Sequence, residues 1–243
     1  MPSGTLIDLW RWPVKSMAGE RLASTRMDAR GLGGDRTHAV TFVHKGEVRP
    51  LTAREAPRLL AWRAGYPFAA DAALRPDDPP AATVRAPGGK SFSWGDPRLR
   101  HALGDDLGRT VDLRRDPGGI QDLPRSVLVT FEATRRALEE ELETPLDLRR
   151  FRPNLHLETD APAWAEADWE GGAMQLAGGV RLRFLHPCLR CAIPTRDPDT
   201  QEKCAHLLRR LDAGHDRLFG INARVEVAGR VERGATARIA APV

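Results

Sequence analysis

Two thiols three residues apart carry the strongest chemical signal in the chain. They lie in His186-Pro187-Cys188-Leu189-Arg190-Cys191-Ala192-Ile193-Pro194-Thr195-Arg196. The alternating apolar residues Val180, Leu182 and Phe184 predict a strand running into them, and a backbone leaving a sheet exposes its side chains to a cleft. Arg190 and Arg196 flank the second thiol. Nearby positive charge favours the thiolate, a strong ligand for soft and high-valent metals. Three other chemistries share these residues. Cys188, Cys191, Cys204 and His206 have a spacing open to structural zinc. A redox dithiol needs a helix start, which Ala192-Ile193-Pro194-Thr195 opposes. Two buried cysteines can also serve simply as small hydrophobes.

A second group of residues suits an anion. Lys15 and Ser16 follow the end of a strand, where Lys acts as a point charge and Ser donates by hydroxyl and backbone N–H. Arg36 follows the glycine-rich run Gly31-Leu32-Gly33-Gly34-Asp35, and Arg150-Phe151-Arg152-Pro153-Asn154 adds two guanidiniums and an amide. Asn154 has both a donor and an acceptor for a polar heterocycle edge, or it closes a turn after Pro153. The conjunction of these residues points to a ligand.

The elements that must position them are mostly short strands. Leu6–Trp12 alternates and stops at Pro13, and Ala39–Val43 is a second strand. Thr52-Ala53-Arg54-Glu55 has the form of a capping box and predicts a short helix through Leu60 and Trp62. The stretch 71–98 is rich in Pro, Asp and Gly. It contains two strand-like pieces around Gly88-Gly89, a hairpin signal. Asp96-Pro97 predicts a helix carrying Leu99, Leu103 and Leu107. The aperiodic run Asp112–Arg125 suggests a boundary between two units, 1–118 and 119–243. Val127–Thr130 then predicts a strand, Glu132–Leu142 a helix, and Leu207, Leu208 and Leu211 a helical run. Ala223–Val227 and Ala237–Ile239 read as strands. The pattern is that of an α+β, mainly β, barrel-like protein.

Composition narrows the class. The 243 residues are 41% hydrophobic and 29% charged, which excludes a disordered, collagenous or coiled-coil chain. No run approaches the roughly 18–20 apolar residues of a spanning helix, and the N-terminus shows no secretory pattern. Net charge is +4, and 33 of the 37 basic residues are arginine, the side chain suited to phosphate and carboxylate. They are scattered among acidic residues rather than striped with aromatics, so nucleic acid is not the expected partner. Three cysteines without a secretory signal read as reduced thiols of a cytoplasmic protein.

The pieces, in this order, are similar to the MOSC superfamily. The resemblance rests on Trp12-Pro13-Val14-Lys15-Ser16, Gly31–Arg36, Thr52–Pro57, Phe151–Asn154, Pro187–Cys191, Asp197–Thr200 and Phe219-Gly220, and spans nearly the whole chain. It implies an N-terminal MOSC β-barrel unit followed by a MOSC β-barrel domain that binds molybdenum cofactor. The subgroup with both halves includes mitochondrial amidoxime-reducing components and bacterial hydroxylaminopurine reductases. There the second cysteine of the Pro-Cys-x-x-Cys motif ligates the metal, which implies Cys191 as catalytic residue and molybdenum ligand. Lys15, Ser16, Arg36, Arg152 and Asn154 match cofactor-contacting positions. The family's Ser-Glu-Ala-Ser-like stretch reads Thr130-Phe131-Glu132-Ala133-Thr134, so Thr130 or Thr134 must replace a hydroxyl that Phe131 lacks. The implied reaction is reduction of a small N-hydroxylated substrate. The chain has no cysteine-rich extension, so its electrons come from a separate ferredoxin, flavoprotein or cytochrome. A carrier of the cofactor, or of sulfur, without turnover is the alternative. Pyridoxal phosphate binding is a further family-level label.

Overall fold

The computed structural model describes residues 1–67 and 80–242. The Pro- and Asp-rich run 71–79 therefore lies outside the described residues. In chain order the first half contains β1 (Ser3–Arg11), β2 (Glu20–Arg21), β3 (Ser24–Asp28), β4 (Gly31–Leu32), β5 (His38–His44) and β6 (Glu47–Pro50). It continues with β7 (Arg63–Gly65), β8 (Thr83–Arg85), β9 (Ser91–Ser93), α1 (Pro97–Leu107) and β10 (Asp112–Arg115). The second half has β11 (Val127–Phe131), α2 (Glu132–Leu142), β12 (Leu155–Thr159), β13 (Ala173–Leu176) and β14 (Arg181–Leu189). It ends with α3 (Ala205–Gly214), β15 (Leu218–Val227), β16 (Gly229–Glu232) and β17 (Thr236–Ala240).

Seven strands close a barrel in the order β12-β11-β15-β14-β13-β17-β1, with β1 pairing back onto β12. Six of the seven come from residues beyond 126. The seventh is the N-terminal strand, which therefore closes a barrel built by the far end of the chain. It does so through a bulge: Leu6 faces Leu157 and Asp8 faces His156, leaving one extra residue on β1. The bulge lets Leu6 and Leu9, three apart, both be fully buried, where strict alternation would send one outward. They join Val129, Leu155, Leu182, Phe184 and Ile221 in the barrel core. β11 and β12 are parallel, so the chain must cross over between them, and α2 does this.

A second core gathers Val14, Met17, Val40, Leu59, Trp62, Trp94, Leu99 and Leu103 beside the three-stranded sheets β10-β5-β6 and β7-β8-β9. The expected hairpin of β8 and β9 forms across Gly88-Gly89. Asp96 caps α1, its side chain accepting from Arg98 N–H. Two expectations fail locally. Thr52 and Glu55 do bond as in a capping box, but the helix is a single 3-10 turn, Pro57–Ala61. Trp62 O accepts from Ala18 N–H at 2.8 Å, and this draws the chain into β7 instead of a further turn. Within the aperiodic run 112–125, residues Asp112–Arg115 form β10 against β5, stabilised by pairing that local pattern does not reveal.

Gly220 lies on β15 at φ +73°, and a Cβ there would stand 2.6 Å from Val129 O and 2.8 Å from Thr130 Cγ2. Gly220→Ala should lose about 1–3 kcal/mol of unfolding free energy, measured as a lower urea midpoint.

Candidate functional site

The motifs meet in one cleft of about 590 Å³, lined among others by Lys15, Ser16, Arg36, Arg152, Asn154, Cys188, Arg190 and Cys191. Trp12 holds its walls together. Its backbone N–H donates to Asp35 Oδ1 at 2.7 Å and its indole Nε1 to Pro153 O at 2.8 Å. Its carbonyl accepts from Arg36 N–H at 2.8 Å. The segment after β1, the glycine turn and the 151–154 loop are thus tied to one buried residue.

Backbone conformation then aims the side chains. Ser16, Arg36 and Arg152 all have positive φ, at 68°, 49° and 55°, uncommon for non-glycine residues. Ser16 is the third residue of the Val14–Met17 turn, whose Met17 N–H donates to Val14 O. That turn offers Met17 O to Arg152 Nη1 at 2.7 Å. Phe151 is locked by stacking on Phe219 at 3.7 Å between centroids.

Charge in the cleft is unbalanced. Arg152 lies over the Trp12 ring at 4.3 Å, and its Nη2 is buried without a hydrogen-bond partner. Burial, then repulsion from Arg36 and Arg190, lowers its pKa to about 9, so it is still a cation at neutral pH. Arg190 donates from Nη2 to Phe151 O at 2.7 Å and from Nη1 to Cys188 Sγ at 3.1 Å, while its Nε has no partner. Arg36 pairs with Asp35 and donates to Asn154 Oδ1 at 3.2 Å and Arg152 O at 3.0 Å. Lys15 pairs with Asp122 and donates to Ile120 O at 3.0 Å. Asp122 is held below the usual carboxylate range: burial opposes this, but Lys15, Arg54 and Arg36 prevail. Lys15, Arg36, Arg152 and Arg190 give the cleft lining a concentration of cationic groups, the chemistry suited to an anion.

Family models now identify the fold. A model described as the MOSC domain matches residues 100–238, and one described as the MOSC N-terminal beta barrel domain matches residues 3–96. The chain belongs to the MOSC family. Mitochondrial amidoxime-reducing component 1 of Homo sapiens is 27% identical over 237 residues, covering 81% of this chain and 67% of that protein. Mitochondrial amidoxime reducing component 2 of Macaca fascicularis is 25% identical over 235 residues, covering 81% and 68%. The crystal structure of the YUAD protein from Bacillus subtilis matches with a TM-score of 0.49 at 12% identity, over 100% of this chain and 99% of that one.

In this MOSC chain six of the expected site residues share the cleft, namely Lys15, Ser16, Arg36, Arg152, Asn154 and Cys191. The structure does not bring Thr130 and Thr134 there. Both are fully buried, with Thr130 Oγ1 2.8 Å from His156 Nδ1 and Thr134 Oγ1 donating to Glu166 Oε2 at 2.8 Å. Phe131 packs edge-on against Trp169. Asn154 spends its amide on the protein: Oδ1 accepts from Leu128 N–H and Arg36, and Nδ2 donates to Trp10 O. Arg196 turns away to Gln201 O. The zinc arrangement does not form. Cys204 packs beside Leu138, Leu207 and Phe219, His206 is exposed, and among the described residues no three His, Cys, Asp or Glu side chains converge on a metal position. Pyridoxal phosphate finds no support in the matched families or the relatives' names.

Sequence reasoning missed Asp122, Arg54 and the part played by Asp35. Only the position of Asp35, directly before Arg36 and after the glycine turn, was a signal. The Asp197-Pro198-Asp199-Thr200 motif proves to be a clasp: Asp197 accepts from Arg150 at 2.8 Å and Asp199 from Arg149 at 2.6 Å. It ties the loop after Cys191 to the loop bearing Arg152.

Two outcomes follow. Arg152→Met should weaken binding of pyrophosphate by about tenfold or more in calorimetry. Lys15 is positioned by its N–H bond to His38 O at 2.8 Å, and burial followed by Arg115 lowers the His38 pKa to about 4. The native state therefore keeps His38 neutral while the unfolded chain takes up its proton. Stability should be full above about pH 6.5 and fall by about 3 kcal/mol as pH drops to about 4. Urea midpoints across that range should show the fall, and His38→Gln should flatten it.

Proposed function

We propose that this chain is a molybdenum cofactor-dependent reductase of N-hydroxylated compounds, among them hydroxylamines, amidoximes and N-hydroxylated bases. The observation that carries the reading is the cleft in which Cys191 meets buried guanidiniums with unused donors, Arg152 Nη2 and Arg190 Nε. A soft thiol ligand and unsatisfied cationic donors suit a phosphate-bearing, sulfur-rich metal cofactor. Once bound, the cofactor would supply the two-electron chemistry that side chains lack.

The chain's own residues bind and orient. Cys191 Sγ would be the protein ligand for molybdenum. Lys15, Ser16, Arg36 and Arg152 would hold the phosphate end, Lys15 giving up its pairing with Asp122 to do so. Asn154 acts through Arg36 by holding its guanidinium in place. Thr130 and Thr134 serve from behind the wall, as buried partners of His156 and Glu166. The same reading divides the chain at 118/119, with β1 of the first unit closing the barrel of the second. Electrons come from a separate carrier protein and the location is the cytoplasm. No helix among the described residues is long and apolar enough to cross a membrane.

The test is metal and pterin analysis of protein from a cofactor-competent host, with turnover of an amidoxime by an artificial donor. Near-stoichiometric molybdenum with turnover is expected. Cys191→Ser should lose both, and Cys188→Ser should keep the metal. Tight cofactor binding without turnover would make the chain a carrier, and stoichiometric zinc without molybdenum would overturn the reading.

A further inference from the structure

We infer that His186 is the group that hands a proton to the departing oxygen of the substrate, an inference that rests on the reductase reading. The net reaction breaks one N–O bond. Two electrons from the carrier protein and two protons convert R–NH–OH to R–NH2 and water, one proton ending on nitrogen and one on oxygen. A proton source must therefore open onto the cleft.

Geometry singles out this imidazole. Leu182 and Phe184 point into the barrel core, fully buried, and an unbroken strand would send His186 in after them. Instead β14 carries one extra residue between Phe184 and Pro187, where β15 has only the step from Ala223 to Ile221. The bulge turns His186 outward, exposed and on the cleft wall, a common use of bulges near active sites. Asn222 Nδ2 donates to His186 O at 3.3 Å and steadies the backbone there.

The ring itself is oriented for the task. His186 Nδ1 lies 3.0 Å from Pro187 O. A carbonyl only accepts, so Nδ1 carries hydrogen and Nε2 is the nitrogen that gains and loses a proton. Proton transfer at Nε2 leaves the Nδ1–H bond to Pro187 O in place.

The other ionisable groups named in the cleft are less suited to hand over a proton. Lys15 and Asp122 hold each other, and the arginines remain cations. Arg190 Nη1 donates to Cys188 Sγ, and Cys191 is reserved for the metal. Among the lining groups named, His186 is the exposed imidazole, and its ring bonds the neighbouring Pro187 carbonyl rather than a charged side chain.

Three measurements on the full chain test this. Nitrogen NMR of the metal-free protein, at a pH where its histidines are neutral, should show His186 as the Nδ1–H tautomer. In molybdenum-loaded enzyme with an artificial donor, His186→Gln should lower kcat/KM for benzamidoxime by about 100-fold or more, with molybdenum content unchanged. Added imidazole should restore part of the rate. An Nε2–H tautomer, or a variant within threefold of wild type at equal metal content, overturns the assignment while leaving the reductase reading intact. Wild-type protein that holds no molybdenum and turns nothing over overturns both.

Discussion

Trp12 uses every polar atom it has on the walls of the cleft. Its N–H, carbonyl and indole N–H reach Asp35, Arg36 and Pro153, and its ring lies under Arg152. These partners belong to two segments far from Trp12 and from each other in sequence, so moving this side chain would disperse the site. Burying an indole of about 150–250 Å² contributes about 4–6 kcal/mol. That is of the same order as the strain of about 1–3 kcal/mol at each left-handed residue around it, Ser16, Arg36 and Arg152. The strained loops persist because they are fastened to a well-packed side chain.

Barrel closure supplies the rigid frame behind Trp12. Strand β1 ends one residue before it, and the β1–β12 pairing continues as Trp10 N–H donating to Asn154 O. The Lys15 and Arg152 loops therefore leave adjacent strands of one barrel, while Cys191 follows β14 across the same mouth. The bulges on β1 and β14 are complementary in effect. The first pulls an extra leucine inward to fill the core, and the second turns a histidine outward to the cleft.

Electrostatics gives this frame its purpose. Leaving buried guanidinium nitrogens without acceptors costs the fold roughly 1–3 kcal/mol each, and more where charge is involved. Arg152 is further destabilised by its neighbours Arg36 and Arg190. An anion in the cleft would meet this excess of positive charge.

Much of this was legible beforehand. The strands Leu6–Trp12 and Val127–Thr130, the capped helix at Asp96 and the helix Glu132–Leu142 all follow from period and capping, which are local properties. So do the residue types of the cleft, since a thiol, a lysine and arginines beside glycine and proline turns announce their chemistry wherever they fold. Pairing of distant segments decided the rest. It made Asp112–Arg115 a strand, cut the helix after Thr52 to one turn, and withdrew Thr130 and Thr134 into the barrel wall. It also left Asp122 against Lys15 and swung His186 out of the core. Local patterns record what each segment can do on its own. Which carboxylate meets which cation, and which side of a bulged strand faces solvent, depend on register between strands from opposite ends of the chain, and that is set only when the barrel closes.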